Sequence, residues 1–472
     1  MIALSLGEIA EITGGRLDGG AEPSAQVTGP VVHDSRQVVP GALFAAFAGE
    51  RVDGHDFAAQ VTEAGAVAVL ATRPVGVPAL VVDDVIEALS ALARAVVARL
   101  GATVVALTGS SGKTSTKDLI AQVLPRLGPT VYTHGSFNNE IGLPLTALKA
   151  EDSTRYLVLE MGARGIGHIR ELTELTPPRI GLVLNVGAAH AGEFGGREKT
   201  AQAKGELVEA LPAADEGGVA VLNADDPLVR AMASRTRART VFFGESPEAD
   251  VRAADVRLTD DGRPAFTLHT PTGHADVIMK LYGEHHVSNA LAAAAVAHEL
   301  GLPAPEIAAA LNEAGPISRW RMEVTERADG VTVVNDAYNA NPDSMRAALR
   351  ALAAMGRSAQ EKGGRTFAVL GEMAELGDEA MAEHDGVGRL AVRLNVSKLV
   401  AVGGREAAWL RMGAYNEGSW GEESVHVSDA EAALELLRSE LRPGDVVLVK
   451  ASRSVGLEKV AAALLEGGEA AR

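Results

Sequence analysis

The sequence predicts an α/β protein of three domains whose middle one is a doubly wound, mostly parallel sheet with a phosphate-binding loop. Three observations lead there. The chain has 472 residues, which at roughly 150 per domain suggests about three. Apolar strands alternate with amphipathic helices along most of it. The stretch "LTGSSGKTST", positions 107 to 116, follows directly on the apolar run "ATVVA".

Residues 1–84 mix short strands ("GPVVHDSR", "ALFAAF", "AVAVLAT", "ALVVDD") with helices such as "FAAQVTEAG", as in a small α/β unit. From 85 to 314 the units lengthen: strand "TVVALTG", a helix from Lys113, strands "RYLVLEMGA" and "RIGLVLNVG", helix "EKTAQAKGELVEAL", strand "GGVAVLNADD". Buried apolar strands each followed by a helix predict a parallel sheet. The alanine-rich helix "HHVSNALAAAAVAHEL" and "GLPAPEIAAALNEAG" lead to Gly315-Pro316, a punctuation that marks a boundary. Residues 315–472 carry "VTVVNDAY", "RTFAVLGEM", "KLVAVGG" and "DVVLVKAS" between helical stretches, a second Rossmann-like layout.

Composition excludes several classes. The formal charge of −18 disfavours nucleic acid or an anionic membrane surface as partner, since such binding needs a basic face. With no cysteine there is no disulfide framework and no thiolate site. The N-terminus "MIALSLGEIAEITGG" lacks the basic segment of a signal peptide and reads as a strand leading into a helix. No run of 18 apolar residues is free of charge or punctuation, so the expectation is a cytoplasmic protein. Nothing resembles a heptad repeat, and a monomer is expected. Lysine is scarce, 10 of the 44 basic residues, which draws attention to each lysine in a motif.

The loop lacks the first glycine of G-x-x-x-x-G-K-[ST], because position 107 is leucine; it is the shorter G-x-x-G-K-T form. Between a strand and a helix its backbone N–H groups converge on one spot suited to phosphate oxygens. Lys113 would neutralise phosphate charge and the Thr114 hydroxyl would take one position on Mg²⁺. Glu160 ends the strand "RYLVLE", where a carboxylate faces the same crevice as the loop; it also fits a solvated strand-end acid. His190, in "AAHAGEF", could reach that edge, and is equally a solvated loop histidine. Lys204, in "EKTAQAKGELVEAL", reads on its own as a surface ion-pair residue.

In this order, "TGSSGKTST", "GSFNNEIGLP", "LEMGARGIGHI", "NVGAAHAGEFGG", "AQAKGEL", "GEHHVSNALAA", "SRWRMEV", "NDAYNANPDSM" and "LGEMAELGDEAMAEH" resemble the Mur ligases over essentially the whole chain. The resemblance implies an ATP-dependent amide-bond ligase of cell-wall precursor synthesis, with a first domain for the UDP group, a middle ATPase domain and a closing third domain. Within the family it points to the branch that joins D-alanyl-D-alanine to UDP-N-acetylmuramoyl-tripeptide through an acyl phosphate. The alternative is the branch that adds a diamino acid to the dipeptide; it typically reads Asp-Tyr-Ala-His-Thr-Pro where this chain has "DAYNANPDS", and carries an Asn-Pro-Arg motif absent here. A phosphate-loop kinase and a silent UDP-sugar-binding regulator are the readings from other classes.

Carried over by position, the resemblance implies ATP contacts from Thr108, Gly109, Ser110, Ser111, Gly112, Lys113, Thr114 and Ser115. Asn289 would contact adenine, and Arg319 and Asp336 would close over the nucleotide. Thr114, Glu160, His190 and Lys204 would hold Mg²⁺, two ions being expected, with Lys204 acting as a carbamate. A carbamate demands lysine, because a permanently protonated guanidinium cannot add carbon dioxide. Asp34, Ser35 and Arg36 would meet the UDP group, and Asn138 and Asn139 would line the path of the muramoyl peptide.

Overall fold

The computed structural model describes residues 1–49, 52–187, 196–361 and 363–467. Among them the strands gather into three main sheets in chain order, an α/β architecture throughout. The first has five strands in the order Arg16–Asp18, Ala79–Val81, Ala68–Ala71, Leu43–Ala45, Val31–Val32. Only its Arg16–Asp18 edge is antiparallel.

The middle sheet has nine strands. From one edge they run Thr130–Tyr132, Tyr156–Glu160, Thr103–Thr108, Ile180–Val183, Val219–Asn223, Arg239–Gly244, Val251–Leu258, Pro264–Thr270 and Gly273–Ile278. Pairing is parallel as far as Val251–Leu258 and antiparallel beyond it. The antiparallel hairpins at 251–278 extend the doubly wound sheet that the sequence predicts.

Register places the chemistry. Glu160 pairs with Leu107 and Val183 with Thr108, so the carboxyl ends of three adjacent strands arrive together, the crevice where open α/β sheets bind ligands. The strand Thr103–Thr108 is fully buried after its first residue, which is why it reads as a continuous apolar run and not as an alternation. On one face the helix Lys113–Val123 packs against His286–Glu299. The latter buries its alanine run Ala292–Ala295 completely, and small side chains let the two axes approach.

On the other face the helix Val85–Leu100 joins the first two sheets. Asp84 caps it, accepting from the N–H groups of Ile86 and Glu87 at 2.6 and 3.0 Å, and Gly101 ends it with φ 63°. Its Leu89, Leu92 and Val96 belong to one apolar cluster that runs from Leu4 and Leu70 in the first unit to Leu143 and Leu157 in the middle one. Each such fully buried leucine contributes about 1.5–3 kcal/mol relative to exposure.

The third sheet has six strands in the order Glu323–Glu326, Thr332–Asn335, Val446–Lys450, Thr366–Leu370, Lys398–Val402, Ser424–Val427. All pairs but the first are parallel, so the segments after Asn335, Leu370 and Lys450 emerge side by side toward the middle domain. Two helices covering this sheet, Ala380–Arg393 and Arg405–Asn416, cross with their backbones nearly touching. A Cβ on Gly388 would lie 1.9 Å from the Leu410 carbonyl oxygen, and one on Gly413 2.0 Å from that of Asp385.

That crossing tolerates no side chain. Gly388→Ala forces the helices apart and costs about 1–3 kcal/mol or more. A thermal melt followed by circular dichroism is expected to show an earlier transition; an unchanged melt would refute the close-crossing account.

Candidate active site

The phosphate loop is built by a strand that ends at Thr108 and a helix that begins at Lys113, with Gly112 between them at φ 79°. That left-handed backbone suits glycine, and space demands it too: a Cβ there would sit 2.6 Å from the Asn289 Oδ1. Asn185, just past the strand Ile180–Val183, holds the loop open. Its Oδ1 accepts from the N–H groups of Ser110 and Ser111 at 3.0 and 2.9 Å, while its Nδ2 donates to the Ser111 carbonyl at 3.1 Å. The N–H groups of the helix's first turn remain as the anion-binding end.

A cavity of about 500 Å³ opens over this loop, between the middle and third domains. It gathers Ser110, Ser111, Gly112, Lys113, Thr114, Ser115, Asn138, Asn139, Glu160 and Lys204. Thr108 lies beneath it, fully buried, with a hydroxyl that has no partner among the described residues. Gly109 sits at the base, where its carbonyl accepts from the Lys113 Nζ at 2.7 Å.

Glu160 is 1 % exposed. Its Oε1 accepts from the Asn138 Nδ2 at 2.8 Å, and its Oε2 has no partner among the described residues. A buried carboxylate oxygen without a donor is costly, and is what a hard cation would satisfy. Desolvation pushes the Lys113 ammonium below its ordinary range, with Glu160 acting in the opposite sense. Lys204, on the helix Arg197–Glu209, is 2 % exposed, which overturns its reading as a surface residue. Burial drives its pKa well down, and the neighbouring Lys113 charge adds to that.

The third domain supplies a group that the sequence reading placed two residues away. Arg319 is exposed beside Trp320 and does not line the cavity. Arg321 does: its Nη2 donates to the Thr114 Oγ1 at 3.2 Å and the Ser136 Oγ at 3.4 Å, and its guanidinium lies 4.2 Å from the Tyr338 ring centroid. The backbone turns sharply to do this, since Trp320 and Met322 on either side have φ of 60° and 48°. Left-handed conformations of this kind cost on the order of 1–3 kcal/mol each and persist where surrounding contacts enforce them. Arg319 and Arg321 stand two apart in "SRWRM", a spacing that would put both on one face of an extended segment, and the left-handed residues Trp320 and Met322 break that repeat.

Two other expectations move. Asn289 is 7 % exposed behind the loop and off the cavity lining; it accepts from the Thr116 Oγ1 at 3.2 Å and its Nδ2 lies 3.5 Å from the His286 Nδ1. Asp336 is also buried, bonded by the Lys450 Nζ at 2.6 Å and the Met322 N–H at 3.0 Å. It braces the Arg321 turn from below. Lys450, despite this partner, is held below its usual pKa by burial.

Asp34, Ser35 and Arg36 form a local turn outside the cavity. Arg36 clamps both Asp34 carboxylate oxygens at 2.9 and 2.7 Å and holds that carboxyl down to about 2, while Asp34 caps the turn Ser35–Gln37. The first domain instead touches the middle one through His33, whose ring stands edge-on to Phe137, 6.3 Å between centroids, one residue before the cavity-lining Asn138. The Asn139 Oδ1 accepts from the Gly142 N–H at 2.9 Å, at the start of the helix Gly142–Ala147. His190 lies outside the described residues.

Sequence and structure comparisons agree with this geometry. The model of the Mur ligase middle domain matches residues 107–297, that of the Mur ligase glutamate ligase domain residues 320–453, and that of the Mur ligase family catalytic domain residues 30–99. A UDP-N-acetylmuramoyl-tripeptide–D-alanyl-D-alanine ligase from Mycobacterium tuberculosis (strain ATCC 25618 / H37Rv) is 52 % identical, and the match spans 98 % of each chain. The crystal structure of MurF from Acinetobacter baumannii superposes with a TM-score of 0.85 at 32 % identity, over 98 % of this chain and 99 % of that one. MurF ligase from Thermotoga maritima, solved in complex with ADP, superposes with a TM-score of 0.79 at 30 % identity, over 94 % and 99 %. From the first sheet to the last, the chain belongs to the Mur ligase family.

Proposed function

We infer that the protein is an ATP-dependent ligase that joins D-alanyl-D-alanine to UDP-N-acetylmuramoyl-tripeptide, giving the pentapeptide precursor of peptidoglycan with ADP and phosphate. The observation that carries this reading is 52 % identity, over 98 % of each chain, to a ligase of that name. The cavity described above supplies the chemistry it needs. The diamino-acid branch of the family gains no support from these relatives. A kinase would leave the third domain's contribution to the cavity without a purpose, and a silent regulator would not need Lys113, Glu160 and Lys204 together.

A carboxylate is a poor electrophile. Transfer of the ATP γ-phosphoryl group to the terminal carboxylate of the tripeptide forms an acyl phosphate and releases ADP. The dipeptide amine then attacks the acyl carbon, the bond from that carbon to the phosphate oxygen breaks, and the amine's extra proton is lost as phosphate departs. Lys113 and the N–H groups of its helix hold the nucleotide phosphates, and Arg321 meets the transferring group from the opposite wall. Placement of three reactants in one polar crevice is the main contribution.

Mg²⁺ suits the donor set, since Glu160 offers a buried oxygen without a partner among the described residues and Thr114 a hydroxyl. Bound there, it would neutralise charge on phosphate oxygens. Lys204, enclosed and driven toward its neutral amine, has the form that adds carbon dioxide; we propose that it acts as a carbamate, with His190 completing the ligands.

A second cavity of about 290 Å³ adjoins the first and shares Tyr338, Asn339, Asn341 and Glu375 with it. Its far wall is Ser452, Arg453 and Ser454. A zwitterionic dipeptide would direct its amine to the shared wall, toward the acyl phosphate, and its carboxylate to Arg453. Proposed domain bounds are 1–84 for the UDP-muramoyl group, 85–314 for ATP and 315–472 for closure. No helix among the described residues is long and apolar enough to cross a membrane, and we propose a monomer acting in the cytoplasm.

The direct test is phosphate release with ATP, Mg²⁺ and UDP-muramoyl tripeptide, with and without D-alanyl-D-alanine. Release requiring both substrates is expected; release only with the dipeptide precursor and a diamino acid would move the protein one step earlier. Lys204→Arg is expected to lower the rate about 10–100-fold or more, and near-normal turnover would end the carbamate reading. Arg453→Ala should raise KM for D-alanyl-D-alanine about tenfold or more, the scale of a lost charge-assisted contact, and leave KM for ATP nearly unchanged. An effect confined to ATP would place the dipeptide elsewhere.

A further inference from the structure

The chain that enters the third domain runs antiparallel along the phosphate-loop helix and the 3-10 turn Leu124–Arg126 that follows it, tied to them at four successive levels. Arg126 pairs with Glu313 at 2.8 Å. Gln122 makes two bonds to one backbone residue: its Nε2 donates to the Gly315 carbonyl and its Oε1 accepts from the Gly315 N–H, each at 3.0 Å. The Asp118 Oδ2 accepts from the Ser318 N–H at 3.1 Å, and Lys117, ion-paired to Asp118 at 2.7 Å, reaches the Ser318 hydroxyl at 3.4 Å. At the last level Arg321 reaches Thr114. Thr114, Asp118 and Gln122 are spaced by four on one side of the helix, and Arg126 follows in the 3-10 turn Leu124–Arg126 that continues it.

This ladder does more than join two domains. Lys117 is fully buried and also donates to the Gly135 carbonyl at 3.1 Å, one residue before the Ser136 whose hydroxyl Arg321 contacts. A carboxamide paired with both groups of one peptide residue fixes sliding as well as distance, because a shift by one residue breaks both bonds. The left-handed turns at Trp320 and Met322 then convert a fixed register into a fixed direction for the guanidinium.

We propose that Gln122, with Asp118 as the second rung, is a positioning residue for the ligase reaction: it sets the register of the linker on the phosphate-loop helix and thereby aims Arg321 at the transferring phosphate. The proposal rests on the ligase reading. Gln122 touches no substrate and acts through Arg321.

The test is a double-mutant cycle on the full-length enzyme, read by phosphate release with tripeptide and D-alanyl-D-alanine. Gln122→Met should lower kcat about 10–100-fold and change KM for ATP less than about threefold. In an Arg321→Ala background the same substitution should add less than about a twofold loss. Gln122→Glu, which sets a carboxylate oxygen against the Gly315 carbonyl in place of a donor, should lower kcat at least about tenfold as well, and it carries the test if Gln122→Met does not fold. Independently of turnover, hydrogen exchange at the Gly315 and Ser318 amides should quicken in the variant that folds. Losses that multiply in the double variant, or unchanged exchange, would overturn the positioning role while leaving the ligase reading intact. A wild-type enzyme that releases no phosphate would sink the ligase reading and this role with it.

Discussion

The buried carboxylate of Glu160 is the constraint around which the rest of this site is arranged. An isolated carboxylate at 1 % exposure is strongly unfavourable. Here it keeps one oxygen bonded to Asn138 and leaves the other to face a cavity lined by Lys113 and Lys204. Its height is fixed by sheet register opposite Leu107, so the loop glycines, the lysine and the carboxylate are held by three rigid strands. Burial lowers the pKa of both lysines, most strongly that of Lys204, and one acid oxygen has no partner among the described residues, a setting that in our reading receives nucleotide and metal.

The other half of the site is a matter of domain placement. The third domain is a separate sheet with its own apolar clusters, yet it contributes Arg321, Tyr338 and Asn341 to the cavity. Those residues are useful only if the linker is in register, and the bonds from Gln122 and Asp118 provide that register in the structure. Asp336 and Lys450 form the matching brace on the far side. A buried pair of this kind contributes little net stability, which fits a role in holding the geometry of the turn at Met322.

Much of the site was legible in the sequence because its motifs are local. Strand, loop and helix around Gly112 are contiguous, and the glycine is required twice over, by φ and by the approach of Asn289. What the sequence left open was the backbone path through the segment that carries two arginines. Arg319 and Arg321 are indistinguishable by composition, and only the left-handed turns that flank Arg321 decide which faces the loop. Likewise Asn185 carries no motif of its own, although two loop N–H groups depend on it.

By itself the sequence determined the three α/β units, the phosphate loop and its lysine, and the family pattern, since each follows from periodicity or from residues adjacent in the chain. The tertiary structure decided which distant groups meet. Lys204, a surface residue by its local pattern, is buried beside Lys113 because its helix packs back onto the strand ends. Arg321 comes to lie against Thr114, 207 positions away, through packing and linker register. Such meetings depend on how whole elements pack against one another, and no local pattern of residues encodes that.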